Sequence, residues 1–210
     1  MGQRAHGSPA RDDARARVVI LAGPSGAGKT RLAGRLQAAR GWPIVRLDDF
    51  YRDHDDPGLP RQESLGIPDW DHVDSWDRQA ALTALATLVT TGRTTTPTYD
   101  ISQSRAIGSV EITCGPEDLV LAEGIFAAEL IPDLRAEGLL FAAYCVRHPR
   151  SRTFVHRLAR DLTERRKPPL VLLKRGLALH RSEPALIRGL VRLGAVPVRP
   201  SEVEKALSLR

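Results

Sequence analysis

The sequence predicts an α/β protein, a doubly wound and mostly parallel sheet with helices on both faces. Three observations carry that expectation. Val18–Ala22, Leu119–Ala122 and Leu139–Val146 are unbroken apolar runs, the pattern of strands buried on both faces of a parallel sheet. Segments with apolar residues at helical spacing alternate with these runs, the order of a βαβ chain. A glycine-rich turn, Gly23–Gly28, joins the first run directly to the first helical segment.

Residues 1–16 are polar, bear Gly and Arg, lack any period, and read as a disordered leader. Residues 17–210 are expected to form a single domain. Arg17–Ala22 is its first strand. Beyond the glycine turn, Leu32, Leu36 and Ala39 recur at helical spacing, and Gly41 stands where a left-handed cap closes a helix. Pro43–Leu47 is a second short strand. From Phe50 to Asp74, Asp, Pro and aromatic residues accumulate without period, which marks a long loop of the kind that carries function. Ser75–Thr91 returns to helix, with Leu82, Leu85 and Val89 on one face and Gly92 beyond its end. A hairpin is expected over Thr95–Thr113. The strands Leu119–Ala122 and Leu139–Val146 flank a helical segment at Ala127–Glu137. Arg150–Lys167 is a helix with Phe154, Leu158 and Leu162 inward and arginines outward. From Ser182 to Arg210 the pattern gives a short helix, a turn at Gly194, and a final helix opened by a Ser201/Glu204 capping box.

At 210 residues and 42% apolar content, the chain supports one full core rather than two. Its longest apolar runs fall far short of the roughly 20 residues that a membrane span needs, so no membrane partner is expected. Val18–Ala22 is too short for a signal-peptide core, and His6 stands where a myristoylation signal requires Ser or Thr. Cys114 and Cys145 lie far apart and suit a reducing compartment. A cytoplasmic location is the expectation. The net charge of +6 raises the question of nucleic acid. Lys occurs only at Lys29, Lys167, Lys174 and Lys205, however, and Asn is absent, the mark of a biased codon pool. No basic stripe interleaved with aromatics accompanies the charge, so no nucleic-acid partner is expected.

Gly23-Pro24-Ser25-Gly26-Ala27-Gly28-Lys29-Thr30 fits G-x-x-x-x-G-K-[ST] and lies between a strand and a helix, as the phosphate-binding mechanism requires. Its glycines let the backbone curl so that N–H groups face an anion, and the following helix adds its positive end. Lys29 is placed to reach β and γ phosphates, and the Thr30 hydroxyl to ligate magnesium. The fold class is therefore a P-loop NTPase with ATP and Mg2+ as cofactors. GTP is disfavoured because the Asn-Lys-x-Asp guanine motif is impossible in a chain without Asn.

A P-loop alone does not say whether water or another hydroxyl attacks the γ phosphate, so the remaining carboxylates decide. Asp48 and Asp49 follow the second strand, and Glu123 ends the strand that begins at Leu119. All three emerge at the carboxyl edge of the sheet, where open α/β folds bind ligands. Thr30, Glu123 and Asp48 are the candidate magnesium ligands.

Five further segments follow the P-loop in a recognisable order: Asp48-Asp49-Phe50-Tyr51, Asp69-Trp70-Asp71-His72, Pro97-Thr98-Tyr99-Asp100, Glu123-Gly124-Ile125, and Arg157 through Arg165. With them the chain resembles the uridine kinase family over roughly residues 18–168. The resemblance implies that Asp48 is the general base on a nucleoside 5′-hydroxyl, that Asp71 grips the ribose hydroxyls, and that Tyr99 borders the base. It also implies that Glu123 joins Thr30 at magnesium, and that Arg157, Arg160 and Arg165 form an Arg-rich helical lid, about residues 150–167, over the ATP phosphates. The acceptor-side candidates are Tyr51, Trp70, Asp71, Tyr99 and Arg105. The chain departs from the pattern after the Tyr-Asp pair, where it reads Ile101-Ser102-Gln103-Ser104-Arg105 without the His that contacts the pyrimidine. Phosphorylation of another small alcohol or a sugar phosphate is the alternative within the same fold. A non-catalytic ATP-binding regulator is the alternative outside it, and Asp48 stands against that reading because a binding module needs no base.

Overall fold

The computed structural model describes residues 16–63, 66–147 and 184–208. Among them, β1 (Arg17–Ala22), β2 (Ile44–Arg46), β5 (Leu119–Glu123), β6 (Leu140–Val146) and β7 (Val196–Val198) form one sheet in the order β2-β5-β1-β6-β7. Every pairing in it is parallel. The chain leaves β1 for the far side of β5, then returns across β1 to reach β6. That reversal opens a crevice at the carboxyl ends of the central strands, the ligand site of doubly wound sheets.

Alternation along β1 divides the core into two layers. Val18, Ile20 and Ala22 face Leu85 and Leu88 of α2 (Arg78–Thr91) and Ile131 and Leu134 of α3 (Ile131–Ala136). Val19 and Leu21 face Leu32, Ala33 and Leu36 of α1 (Lys29–Arg40), together with Val203 and Leu207 of α5 (Pro200–Ser208). Ile20 and Leu21 are fully buried, and each such side chain contributes about 1.5–3 kcal/mol relative to exposure. Helices thus cover both faces, as the sequence predicts. Ala16 also joins the first layer, whereas residues 1–15 of the expected leader, and Arg157, Arg160 and Arg165 of the expected lid, lie outside the described residues.

The structure corrects several boundaries. The second helix begins after Asp77, not at Ser75: the Asp77 side chain accepts the Ala80 N–H at 2.9 Å, while the Ser75 hydroxyl donates to the His72 carbonyl at 2.6 Å within a short 3-10 turn, Val73–Ser75. The expected Ser201/Glu204 box is also displaced. Glu202 accepts the Arg199 N–H at 2.6 Å and Pro200 opens the helix, a position that suits its missing N–H. Glu204 instead pairs with Arg35 and ties α5 to α1. Strand β7 is not predicted by the sequence pattern. It is a three-residue Val-Pro-Val edge strand, and proline inside so short a run hides a strand that only an edge tolerates. It follows a helix at residues 184–192, α4, and the turn at Gly194.

The expected hairpin is a separate two-stranded antiparallel unit, β3 (Arg93–Asp100) and β4 (Arg105–Thr113). It extends beyond the expected span at its amino end and stands beside the crevice, because β3 packs on α2 and on a 3-10 turn, Leu47–Phe50, that carries Asp48 and Asp49.

Candidate active site

The P-loop departs from the end of β1. Gly23, Gly26 and Gly28 have φ values of 137°, 79° and 84°, in the region that costs a side-chain-bearing residue most. At Gly23 a Cβ would lie 2.3 Å from the Val146 carbonyl oxygen, so the turn closes against β6 only with glycine. The Ala27 N–H donates to the Pro24 carbonyl at 3.1 Å. Helix α1 then starts with no side-chain cap and no acidic residue in its first turn, which leaves its first N–H groups and positive end open to an anion. Lys29 is buried to 8% exposure, and its ammonium donates to the carbonyls of Gly23 at 2.9 Å and Pro24 at 3.3 Å. The lysine thereby spans the loop that it is expected to serve. Ser25 and Ala27 occupy the loop between these points.

Across the crevice, the Thr30 hydroxyl donates to Glu123 Oε1 at 3.0 Å. Glu123 is 5% exposed. Burial pushes its carboxyl above the usual range, partly offset by Lys29, and the nearby Asp48 charge adds to the rise. The two oxygens suit magnesium by their chemistry and by their spacing. Adjacent ligands on an octahedral ion at about 2.1 Å lie about 3.0 Å apart, and the ion keeps waters and substrate phosphates for its other positions. Among the described residues no group of three or more Asp, Glu, His or Cys is clustered for a metal, and magnesium at Thr30 and Glu123 leaves room for waters and phosphate oxygens.

Asp48 is exposed, yet its carboxylate is fixed: Oδ1 accepts the Ile125 N–H at 2.9 Å. Gly124 makes this approach feasible, because a Cβ there would come within 2.8 Å of Asp48 Oδ1. Its neighbour Asp49 faces the hairpin and accepts the Tyr99 N–H at 3.4 Å. Burial pushes the Asp49 carboxyl up, and Tyr99 and Arg46 draw it back.

The acceptor-side candidates divide. Tyr51 is at the centre of an aromatic wall, with ring centroids of Trp70, Tyr99 and Phe126 each 6.0 Å away. Its hydroxyl donates to the Trp70 carbonyl at 3.4 Å, and burial, with the charges of Asp48 and Asp71, pushes its pKa up. Tyr51, Trp70, Asp71, Tyr99 and Asp48 are therefore brought together. The hydroxyl of Tyr99 is engaged elsewhere, donating to the Arg52 carbonyl at 3.0 Å, so only its ring is presented. Ser102, which stands near the missing His, donates its hydroxyl to Asp100 at 2.6 Å. That bond and those to Gln103 hold the Asp100 carboxyl down at about 2. Arg105 is exposed across from Asp100 at the end of the hairpin.

Sequence reasoning missed Arg46, Phe126, the Ile125 amide and Trp76. Arg46 lies in register with Glu123 across β2 and β5, a pairing visible only once β2 is known to lie beside β5. Trp76 donates Nε1–H to the Leu47 carbonyl at 2.6 Å and so holds the turn that carries Asp48. The dense Asp and aromatic content of residues 50–76 was the available signal.

No protein-family model and no curated protein sequence matches the chain. Solved structures do. A candidate fructose transport system kinase from Silicibacter sp. TM1040 superposes with a TM-score of 0.59 at 21% identity, covering 85% of this chain and 88% of that one. A possible uridine kinase from Bacillus stearothermophilus superposes with a TM-score of 0.50 at 20% identity, covering 77% of this chain and 88% of that one. In fold, the chain is similar to these P-loop kinases.

Proposed function

We propose that the chain is an ATP- and magnesium-dependent phosphotransferase acting on a small hydroxyl compound, with a ribonucleoside 5′-hydroxyl as its preferred acceptor. The observation that carries the reading is the meeting, at one sheet edge, of the Thr30–Glu123 pair at 3.0 Å and the Asp48 carboxylate held at 2.9 Å by Ile125. Loop N–H groups and the start of α1 bind the phosphates, and Lys29 exchanges its contacts with Gly23 and Pro24 for phosphate oxygens. Thr30 and Glu123 would hold magnesium, which neutralises phosphate charge when bound. Asp48 takes the acceptor proton as the acceptor oxygen bonds to the γ phosphorus, the bond to the β–γ bridging oxygen breaks, and ADP leaves. The aromatic wall around Tyr51 and the Asp71 carboxylate receive the sugar. Arg157, Arg160 and Arg165 belong to this reading as the lid. Cys114 and Cys145 are not joined in a disulfide, which accords with action in the cytoplasm.

A second acceptor class, a sugar or other polyol, is favoured by one observation. The hydroxyls of Tyr99 and Ser102 both donate within the protein, so neither has its proton available for a pyrimidine carbonyl. One structural neighbour is, by its name, a candidate fructose transport system kinase. The two are separated by ADP release measured with ATP, magnesium and a panel of uridine, cytidine, deoxyuridine, hexoses and glycerol. Turnover with ribonucleosides supports the first reading, turnover with sugars alone supports the second, and turnover with none overturns both.

A further inference from the structure

The loop after the Asp48 turn is strapped to the tip of the hairpin by three contacts besides the bond from Tyr99 N–H to Asp49. The Ala106 N–H donates to Asp53 Oδ1 at 2.8 Å, the His54 N–H donates to the Ser104 carbonyl at 2.9 Å, and the Tyr99 hydroxyl donates to the Arg52 carbonyl at 3.0 Å. The hairpin register explains the first. Thr98 pairs with Gly108 but Tyr99 pairs with Ala106, so Ile107 is bulged. A bulge disrupts the ladder and frees a backbone group near it. Asp53 accepts such a group, the Ala106 N–H. The half-buried carboxylate lies close enough to the Tyr99 phenol to help burial push its pKa up to about 12. Ser104, next to this bulge, has φ 52°, a strained conformation for a residue with a side chain, and its carbonyl is the one that His54 binds.

We infer that Asp53 is a positioning residue: by holding the Ala106 amide at the β4 bulge it fixes the hairpin tip, and with it the Tyr99 ring, against the loop that bears Tyr51 and Asp48. Asp53 does not touch the reacting groups. It acts through Tyr99, whose ring stands 6.0 Å from that of Tyr51. The phosphate loop shares none of the contacts named here. Loss of the strap therefore weakens acceptor binding and leaves nucleotide binding alone. Asn at this position keeps an oxygen that can accept the same N–H, whereas Ala keeps none.

The kinetic part of this inference rests on the phosphotransfer reading, so the test has two arms on the full chain. Hydrogen–deuterium exchange at the Ala106 amide, measured without substrates, should accelerate at least about tenfold in Asp53→Ala and stay close to the unmodified chain in Asp53→Asn, in keeping with loss of a hydrogen bond to a charged acceptor. In the kinetic arm, Asp53→Ala should raise the acceptor KM about tenfold while the ATP KM stays within about twofold, and Asp53→Asn should restore it. Melting temperatures of all three proteins report that the fold is kept. Unchanged exchange in Asp53→Ala overturns the inference, as does a parallel rise of both KM values or identical behaviour of the Ala and Asn variants. Absence of any acceptor turnover by the unmodified chain would sink the phosphotransfer reading instead, and the exchange arm would still decide the strap.

Discussion

A methyl group added at Gly124 has no room. Its Cβ would lie 2.8 Å from Asp48 Oδ1, 2.9 Å from Leu47 Cβ and 3.3 Å from the Asp48 amide nitrogen. Ordinary carbon contacts begin at about 3.5 Å, so something must move by roughly 0.6–1 Å. Leu47 is 1% exposed, and its carbonyl is bound by Trp76 at 2.6 Å. Asp48 is the neighbour with solvent on one side, so it yields and loses its bond from the Ile125 N–H. Overpacking of this size costs about 1–3 kcal/mol, which in a domain of this size lowers Tm by about 2–12 °C. Misplacing a reacting group by about 1 Å costs on the order of 10²-fold in rate. Gly124→Ala should therefore lower kcat about 100-fold and keep ATP affinity within about twofold, because the atoms nearest the added methyl belong to Leu47 and Asp48 rather than to the phosphate loop. Kinetics, nucleotide titration and thermal melting on one preparation check it. A variant with unaltered kcat and Tm would refute the assignment of Asp48 as a base held in place through Gly124.

Lys29→Ala should weaken ATP binding roughly 10- to 100-fold, the effect of losing a charged contact, with Tm within a few degrees, as nucleotide titration and melting will report. For Asp48→Asn, turnover should fall by about 10² to 10⁴ with ATP affinity retained, the range for a positioned base; steady-state kinetics beside nucleotide binding decides it. Glu123→Gln separates stability from activity. A buried carboxyl whose pKa is raised binds its proton more tightly when folded, so its ionisation costs stability as pH rises from the ordinary carboxylate range through the raised value, and the cost is present in full above that value. Glutamine removes that cost and can still accept from Thr30. Its Tm at pH 7 should equal or exceed that of the unmodified chain, with the difference vanishing toward pH 4, while magnesium-dependent turnover collapses; melting across pH and a magnesium titration test both.

Much of this site was legible because the phosphate loop is local: eight consecutive residues between a strand and a helix specify both shape and chemistry. Buried strands were equally plain, since two-sided burial leaves an uninterrupted apolar run. What could not be read were features made by distant pieces meeting. Arg46 becomes a neighbour of Glu123 only through the β2–β5 register, and the fixing of Asp48 by Ile125 is a backbone contact between segments 77 positions apart. The helix expected from Ser75 starts at Arg78 because Ser75 is buried in a 3-10 turn and the Asp77 side chain caps the helix. The engagement of the Tyr99 and Ser102 hydroxyls within the protein is likewise a product of the fold and of the turn at Asp100.

Transfer of the γ phosphoryl group to a hydroxyl rather than to water is reported directly by the product. The full chain should be incubated with ATP, magnesium and uridine or cytidine, and the phosphorus-containing products identified by 31P NMR and mass spectrometry. Nucleoside 5′-monophosphate should form in step with ADP, at similar efficiency for the two bases and much lower efficiency for deoxyuridine. Inorganic phosphate as the sole partner of ADP, across nucleosides, sugars and small alcohols alike, would contradict transfer to a hydroxyl.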